Sequence, residues 1–130
     1  MKWNAIPLVG VNDLRFGMNP EAVCHVLGVP NRVLPNVRAG KYPTLLYEDM
    51  FIYFSDEGIC DGVEFFEGEV YVDGILVFPT DMEELRKVAP DMKYDEVGCL
   101  SVQKSIGIYA PLDDVEGILF AVKDYYQKYT

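Results

Sequence analysis

The feature that most constrains the fold is a series of short strand-forming stretches separated by turn residues. Aromatic and β-branched residues are enriched in these stretches, and the strongest turn between them is Asp73-Gly74, a dipeptide typical of two-residue hairpins. This pattern predicts an antiparallel meander in the middle of the chain, followed by three further strands nearer its end. The predicted strands cover residues 45–47, 50–54, 59–66, 69–72, 75–78, 98–102, 105–110 and 117–122.

A short helix is predicted within the stretch LRFGMNPEAVCHVLGVP, at residues 20–27. Asn19 is a good N-cap residue, and Pro20 then occupies the first helical position, where its missing N–H has no cost. Gly28 is placed to end the helix, and Pro30 prevents its continuation. A helix this short is not stable alone, so it must pack against another element.

A second short helix is predicted at residues 81–88. Thr80 and Glu83 fit a capping box at its start, and Pro90 follows its end. Residues 31–43, which contain two prolines, are expected to form a loop, and the C-terminal tail is left open between a helical turn and an extended end.

These elements predict an α+β fold, with both short helices packed on one face of an antiparallel sheet. A chain of 130 residues fits a single domain, residues 1–130. The stretch from Phe51 resembles the stretch from Ile106, with Val63 aligned to Ile118 and Phe65 to Phe120. Either the chain contains two helix-plus-hairpin repeats, at about 14–78 and 79–130, or two hairpins merely share turn chemistry.

The charge of the chain restricts the classes of partner. Twenty-one acidic residues against 11 basic ones give a net charge of −10 and a pI near 4.4. Direct nucleic-acid binding is not expected, because contacts to phosphates need lysine and arginine. Strong acidity suits a basic protein partner, and it also suits simple solubility.

No segment resembles a secretory signal or a membrane span, so we expect a cytoplasmic protein that is not bound to a membrane. Cys24, Cys60 and Cys99 are odd in number and widely spaced, which is typical of reduced thiols that act as small buried hydrophobes. They are therefore expected to be free.

The sequence offers little for catalysis. His25 is the only histidine, and its neighbour Cys24 would point about 100° away on a helix, so the two do not form a dyad. No zinc spacing, calcium loop or phosphate-binding loop is present. Paired acids such as Asp113-Asp114 are typical of solvated turns or helix caps. We therefore expect no catalytic activity, no cofactor and no metal.

The meander places carboxylates and tyrosines together. Because alternate residues of a strand share a face, Val63 and Phe65 should face the core while Glu64 and Phe66 face outward. Tyrosine provides interface anchors, and carboxylates attract a basic partner. An ordinary solvated sheet face would look the same. The residues predicted to bind a partner are Tyr47, Glu48, Asp49, Tyr53, Asp56, Glu57, Asp61 and Glu64.

The first helix also carries a resemblance to known modules. The pattern G-M-x-x-E-x-V-x-x-x-L-G-x-P, from Gly17 to Pro30, is similar to the helix opening of bacterial small-protein-A outer-membrane assembly lipoproteins and of the tandem repeats of the β-lactamase inhibitor protein. That resemblance implies a binding module built from helices and sheet. In size, charge and layout, the chain also resembles small acidic cytoplasmic immunity proteins of bacterial toxin systems.

Two functions are therefore kept as hypotheses. In the first, an immunity or inhibitor protein neutralises a basic toxin enzyme through an acidic and aromatic surface. In the second, a small enzyme or ligand-binding protein uses a pocket between the helices and the sheet. The identity of the partner and the oligomeric state are not predicted.

Overall fold

A computed structural model describes residues 2–35, 41–80, 82–94, 98–111 and 115–126. It is mostly β, with 43% strand and 13% helix. A five-stranded sheet has the order β3-β2-β1-β8-β9, and an eight-stranded sheet has the order β10-β11-β12-β13-β7-β6-β5-β4. The elements of the five-stranded sheet are β1 (Lys2–Ile6), β2 (Gly10–Val11), β3 (Leu14–Arg15), β8 (Glu69–Val72) and β9 (Ile75–Phe78).

The eight-stranded sheet takes its strands from both halves of the chain, and a helix precedes each set. Helix α1 (Pro20–Leu27) follows β3, and helix α2 (Met82–Val88) follows β9. The strands of this sheet are β4 (Arg32–Leu34), β5 (Thr44–Leu46), β6 (Met50–Phe54), β7 (Cys60–Phe65), β10 (Lys93–Tyr94), β11 (Gly98–Ser101), β12 (Ile106–Tyr109) and β13 (Gly117–Ala121).

The predicted α+β architecture, one antiparallel sheet with both helices on one face, is wrong. The reason is strand β1, which pairs in parallel with β8 and places Trp3 beside Val70. This pairing removes the hairpin of β8 and β9 from the meander and builds a second sheet around it. Helix α1 contacts β3 and helix α2 contacts β9, and these are the two edge strands of the five-stranded sheet.

The local predictions at α1 and at the hairpin of β8 and β9 are confirmed. The Asn19 side chain accepts a hydrogen bond from the Ala22 amide, 2.8 Å away, and the backbone of Gly28 closes the helix with φ +86°. Asp73 and Gly74 both have positive φ, as the tight turn between β8 and β9 requires.

The predicted loop at residues 31–43 contains a strand near its start, and the start of α2 is described only from Met82. Residues 32–34, predicted as loop, form strand β4, which pairs with β5. Residues 36–40 lie outside the described residues. Helix α2 begins at Met82, and Asp81 within the predicted capping box also lies outside the described residues, so that box remains a prediction.

The two sheets share one hydrophobic core. The Phe65 ring, from β7, contacts the Trp3 ring of β1 at 5.7 Å and the Phe120 ring of β13 at 6.2 Å between centroids. Phe65 and Phe120 are fully buried. The face of the eight-stranded sheet that carries these side chains is called the inner face below.

The two hairpins that resemble each other in sequence meet at the centre of the eight-stranded sheet. Strand β7 pairs antiparallel with β13, so that Phe65 lies opposite Ile118 and Val63 lies opposite Phe120. In the sequence alignment Phe65 corresponds to Phe120 and Val63 to Ile118, whereas in the sheet Phe65 faces Ile118 and Val63 faces Phe120. A local two-fold axis between the two strands produces this exchange. Glu64 and Leu119, which are aligned with each other, lie directly opposite at that axis. The internal repeat itself stays a prediction.

Neither helix of the described residues has the length and apolar character that crossing a membrane would require.

Candidate functional site

One continuous row of residues crosses all eight strands on the face opposite the core, which we call the outer face. Each member of this outer row lies directly across from the next in the strand register. In spatial order, the outer row is Arg32, Leu46, Phe51, Glu64, Leu119, Gly107, Leu100 and Lys93.

Burial distinguishes the two faces of this sheet. Ile52, Val63 and Phe120, each one residue away from the outer row, are 0% exposed. Phe51 and Leu119 are partly exposed, as expected for residues that alternate to the other side of a strand. The outer face therefore presents large apolar side chains that the core does not cover.

Glu64 occupies the middle of the outer row. The Tyr53 hydroxyl donates a hydrogen bond of 2.5 Å to Glu64 Oε1, which fixes the carboxylate within the sheet surface. Phe51 contacts both the Tyr53 ring, at 6.2 Å, and the Phe66 ring, at 5.1 Å. A carboxylate thus lies beside a cluster of three aromatic rings.

Two glycines lie on the other side of Glu64. Gly117 follows diagonally on β13, and a Cβ built on it would lie 3.8 Å from Glu64 Oε2. Gly107 lies farther along the row, and a Cβ there would overlap the Tyr126 hydroxyl. The missing side chain at Gly107 therefore lets the Tyr126 phenol pack directly on the sheet.

Glu64, Gly107 and Tyr126 belong to the lining of an open cavity of about 200 Å³ on the outer face. Among the described residues, Glu64 provides its one carboxylate, and the other described walls are mainly apolar or aromatic. The cavity is lined by Glu64, Cys99, Leu100, Gly107, Ile108, Tyr109, Leu119 and Tyr126.

The eight residues predicted to bind a partner fall into three groups. Tyr53 and Glu64 are in contact on the outer face, and Asp61, partly exposed, is on the same strand as Glu64. Asp56 and Glu57 are exposed in the turn between β6 and β7. The remaining three belong to the turn between β5 and β6: Tyr47, Glu48 and Asp49.

Two of those three point into the protein. Tyr47 is 8% exposed, and its hydroxyl donates to the Gly28 carbonyl at 2.9 Å. Burial, together with the hydrogen bond between this hydroxyl and Cys24, raises the pKa of the phenol above its ordinary value. Asp49, also 8% exposed, accepts a hydrogen bond of 2.9 Å from the Trp3 indole. Glu48 is exposed beside them. Tyr47 and Asp49 therefore connect elements of the fold and do not belong to the outer face.

Sequence reasoning missed the C-terminal half of the outer face. Leu119 and Leu100 alternate with buried neighbours along β13 and β11, so the period of two in GILFA and GCLS was the available signal. Tyr109 is exposed at the end of β12. Tyr126 is brought back onto the sheet from the tail, and no local pattern indicates that contact.

The residues considered for catalysis lie apart from this face. His25 is exposed on α1. All three cysteines are free, as predicted, with Cys60 and Cys99 buried and Cys24 partly buried. Within the described ranges, no three histidine, cysteine, aspartate or glutamate side chains are grouped so that they could hold a metal ion.

Comparisons of the chain with protein-family models, curated proteins and solved structures find no match.

Proposed function

We propose that this protein is a cytoplasmic protein-binding module of the immunity or inhibitor type, which neutralises a basic toxin enzyme by covering it with its outer face. The observation that carries the proposal is the outer face itself. Aromatic and aliphatic side chains surround the fixed Glu64 carboxylate on a sheet surface that the core leaves open.

The composition of the outer face supports a protein partner. Tyrosine, phenylalanine and leucine dominate its centre, and the charged residues of the outer row lie at the two ends, Arg32 and Lys93, and at Glu64. Protein interfaces have this anatomy: apolar anchors in the middle, few central charges and a polar rim. The exposed ring of Tyr109, two residues from Gly107 on β12, extends the same surface.

The net charge supports a basic partner. A charge of −10 on 130 residues produces a long-range attraction for a cationic protein, and Glu64 supplies one local contact for it within the apolar surface. The second hypothesis needs a pocket between helices and sheet. Leu27 of α1 lines such a pocket with Tyr47, Glu48 and Asp49, but Tyr47 and Asp49 there make hydrogen bonds that hold elements of the fold together. The outer face therefore favours the binding hypothesis.

The test is capture of the partner by the full-length chain carrying Leu119→Arg or Val33→Arg, compared with the unmodified chain. Leu119 lies at the centre of the outer face, while Val33 is 56% exposed on edge strand β4 and points to the inner-face side, opposite Leu45. Both variants add the same charge to the same sheet, so the Val33 variant is the matched control. Captured proteins from a lysate of the source cells are identified by mass spectrometry, purified and assayed for enzymatic activity.

The proposal requires three results together. The captured protein is basic, Leu119→Arg loses it while Val33→Arg keeps it, and the unmodified chain inhibits its enzymatic activity at a one-to-one ratio. Equal capture by both variants, or a captured enzyme whose activity the chain leaves unchanged, contradicts the proposal.

A further inference from the structure

We propose that the outer-face cavity is the receptor for an arginine side chain of the partner. This inference rests on the proposed function and specifies the chemical group that the same site recognises. It follows from the carboxylate, the walls and the free space of the cavity.

The carboxylate offers an oriented oxygen. Tyr53 donates to Glu64 Oε1, while Oε2 has no donor among the described residues and lies on the side of Gly117. A side chain entering the cavity therefore meets an acceptor that is already held in place. Charge-assisted hydrogen bonds to a carboxylate are about twice as strong as neutral ones, so a cationic donor gains most from this arrangement.

The walls match a long side chain with a flat cationic end. Leu100 and Leu119 provide aliphatic surface for methylene groups, and Tyr109 and Tyr126 provide aromatic surface. Arginine buries its methylene stem along apolar surface and stacks its guanidinium on aromatic rings. Lysine has a more strongly hydrated point charge, which loses more water and stacks less well, so the aromatic walls favour arginine.

Two glycines shape the surface around this cavity. Gly117 and Gly107 are the residues of β13 and β12 that would otherwise project side chains beside Glu64 and beneath Tyr126. A Cβ at Gly107 would displace the Tyr126 phenol from its position on the cavity wall. A side chain at Gly117 would lie against Glu64 Oε2, and the absent side chain at Gly107 makes room for Tyr126 as a wall of the cavity.

The test uses small probes, because the partner is unidentified. The full chain, labelled with ¹⁵N, is titrated with Nα-acetyl-arginine methylamide and followed by heteronuclear NMR. Two matched probes are titrated in parallel: the citrulline analogue, which has nearly the same shape without the charge, and the lysine analogue. We expect saturable shifts with arginine in the millimolar range, largest at the amides of Glu64, Gly107, Gly117 and Leu119. Citrulline should produce no saturable shift, and lysine should bind several-fold more weakly.

Two variants locate the effect. Glu64→Gln keeps an acceptor for the Tyr53 hydroxyl and removes only the charge, and it should weaken arginine binding by at least about tenfold. Glu67→Gln removes an exposed charge three residues along and should bind as the unmodified chain does.

The inference is overturned by equal affinity for arginine and citrulline, by equal affinity for arginine and lysine, or by unchanged binding in Glu64→Gln. These outcomes are independent of the capture experiment. Failure of the arginine probe alongside successful capture overturns the arginine inference and keeps the outer face as the partner interface, whereas arginine binding without capture leaves the cavity as a guanidinium site and removes the toxin partner.

Discussion

At the scale of single residues, the contact between Trp3 and Asp49 connects the two sheets. The indole N–H of Trp3, in β1, donates to Asp49 Oδ2 in the turn before β6, and both residues are 8% exposed. If a buried N–H loses its acceptor, the folded state is destabilised by the full desolvation free energy of that group. This one hydrogen bond therefore couples the five-stranded sheet to the eight-stranded sheet.

We predict that Asp49→Ala lowers the free energy of unfolding by about 1–3 kcal/mol, because the Trp3 N–H is left buried without an acceptor. Asp49→Asn, which keeps a carbonyl oxygen, should lose less. Urea unfolding followed by tryptophan fluorescence measures this directly, since Trp3 is the only tryptophan. Glu48→Ala, at the exposed neighbouring position, is the control and should change stability by no more than about 0.5 kcal/mol. Equal losses at the two positions would show that the indole contact does not matter.

Asp91 is a second residue whose carboxylate holds a turn together. Its Oδ1 accepts from the Ser101 hydroxyl at 2.5 Å and its Oδ2 accepts from the Gln103 amide at 3.1 Å. Burial raises the pKa of Asp91. The hydrogen bonds from Ser101 and from backbone amides lower it by more, so the pKa lies below its ordinary value.

A depressed pKa in the folded state makes stability depend on pH. The unfolded chain protonates Asp91 first as the pH falls, so its contribution is complete above the ordinary value of 3.8 and is lost as the pH falls through the lower folded value. We predict that Asp91→Asn is less stable at pH 7 and loses less stability than the unmodified chain below about pH 4. Urea unfolding at a series of pH values tests this. Ser101→Ala should reproduce part of the effect, and parallel pH curves for Asp91→Asn and the unmodified chain would refute it.

At the scale of elements, α1 depends on its cap because it has only eight residues. We predict that Asn19→Ala lowers the free energy of unfolding by about 1 kcal/mol, since the Ala22 amide loses its side-chain acceptor. Asn19→Ser, which retains a capping oxygen, should stay close to the unmodified chain. Thermal and urea unfolding of the two variants measure the difference. If alanine and serine prove equal, the side-chain cap contributes nothing.

Elements that are determined locally could be predicted from the sequence. Asn19 and Gly28 specify both ends of α1 by their own backbone and side-chain preferences, and Asp73-Gly74 adopts the positive φ values that its turn needs. The alternation of Val63, Glu64 and Phe65 likewise predicted which side chains face the core, and this is confirmed by their burial.

Pairings between distant segments could not be predicted in the same way. Strand β1 reads KWNAI, and nothing in those residues specifies that β8 is its parallel partner. The same limit applies to the candidate site. Tyr47 and Asp49 have the composition of a surface turn, and only the position of Trp3 and Gly28 turns them inward.

At the scale of the whole molecule, the charge of −10 bears on association. We predict that the on-rate for the captured partner falls steeply as salt rises, because the Debye length shrinks from about 10 Å at 0.1 M to about 3 Å at 1 M. Asp56→Lys, in the exposed turn at the end of β6, should slow association more than Glu83→Lys, which makes the same charge change on α2. Stopped-flow or surface-plasmon measurements separate the on-rate from the off-rate. An on-rate that does not vary with salt would exclude electrostatic steering.

The central position of β13 also has a consequence for synthesis on the ribosome. β13 is the last described strand of the chain, yet it lies between β12 and β7 in the middle of the eight-stranded sheet. Until it emerges, the nascent chain holds two incomplete half-sheets, and β7 and β12 each present an unpaired edge of the kind that aggregates. Residues 117–121 then complete both edges at once, so the eight-stranded sheet closes late and through contacts distant in sequence.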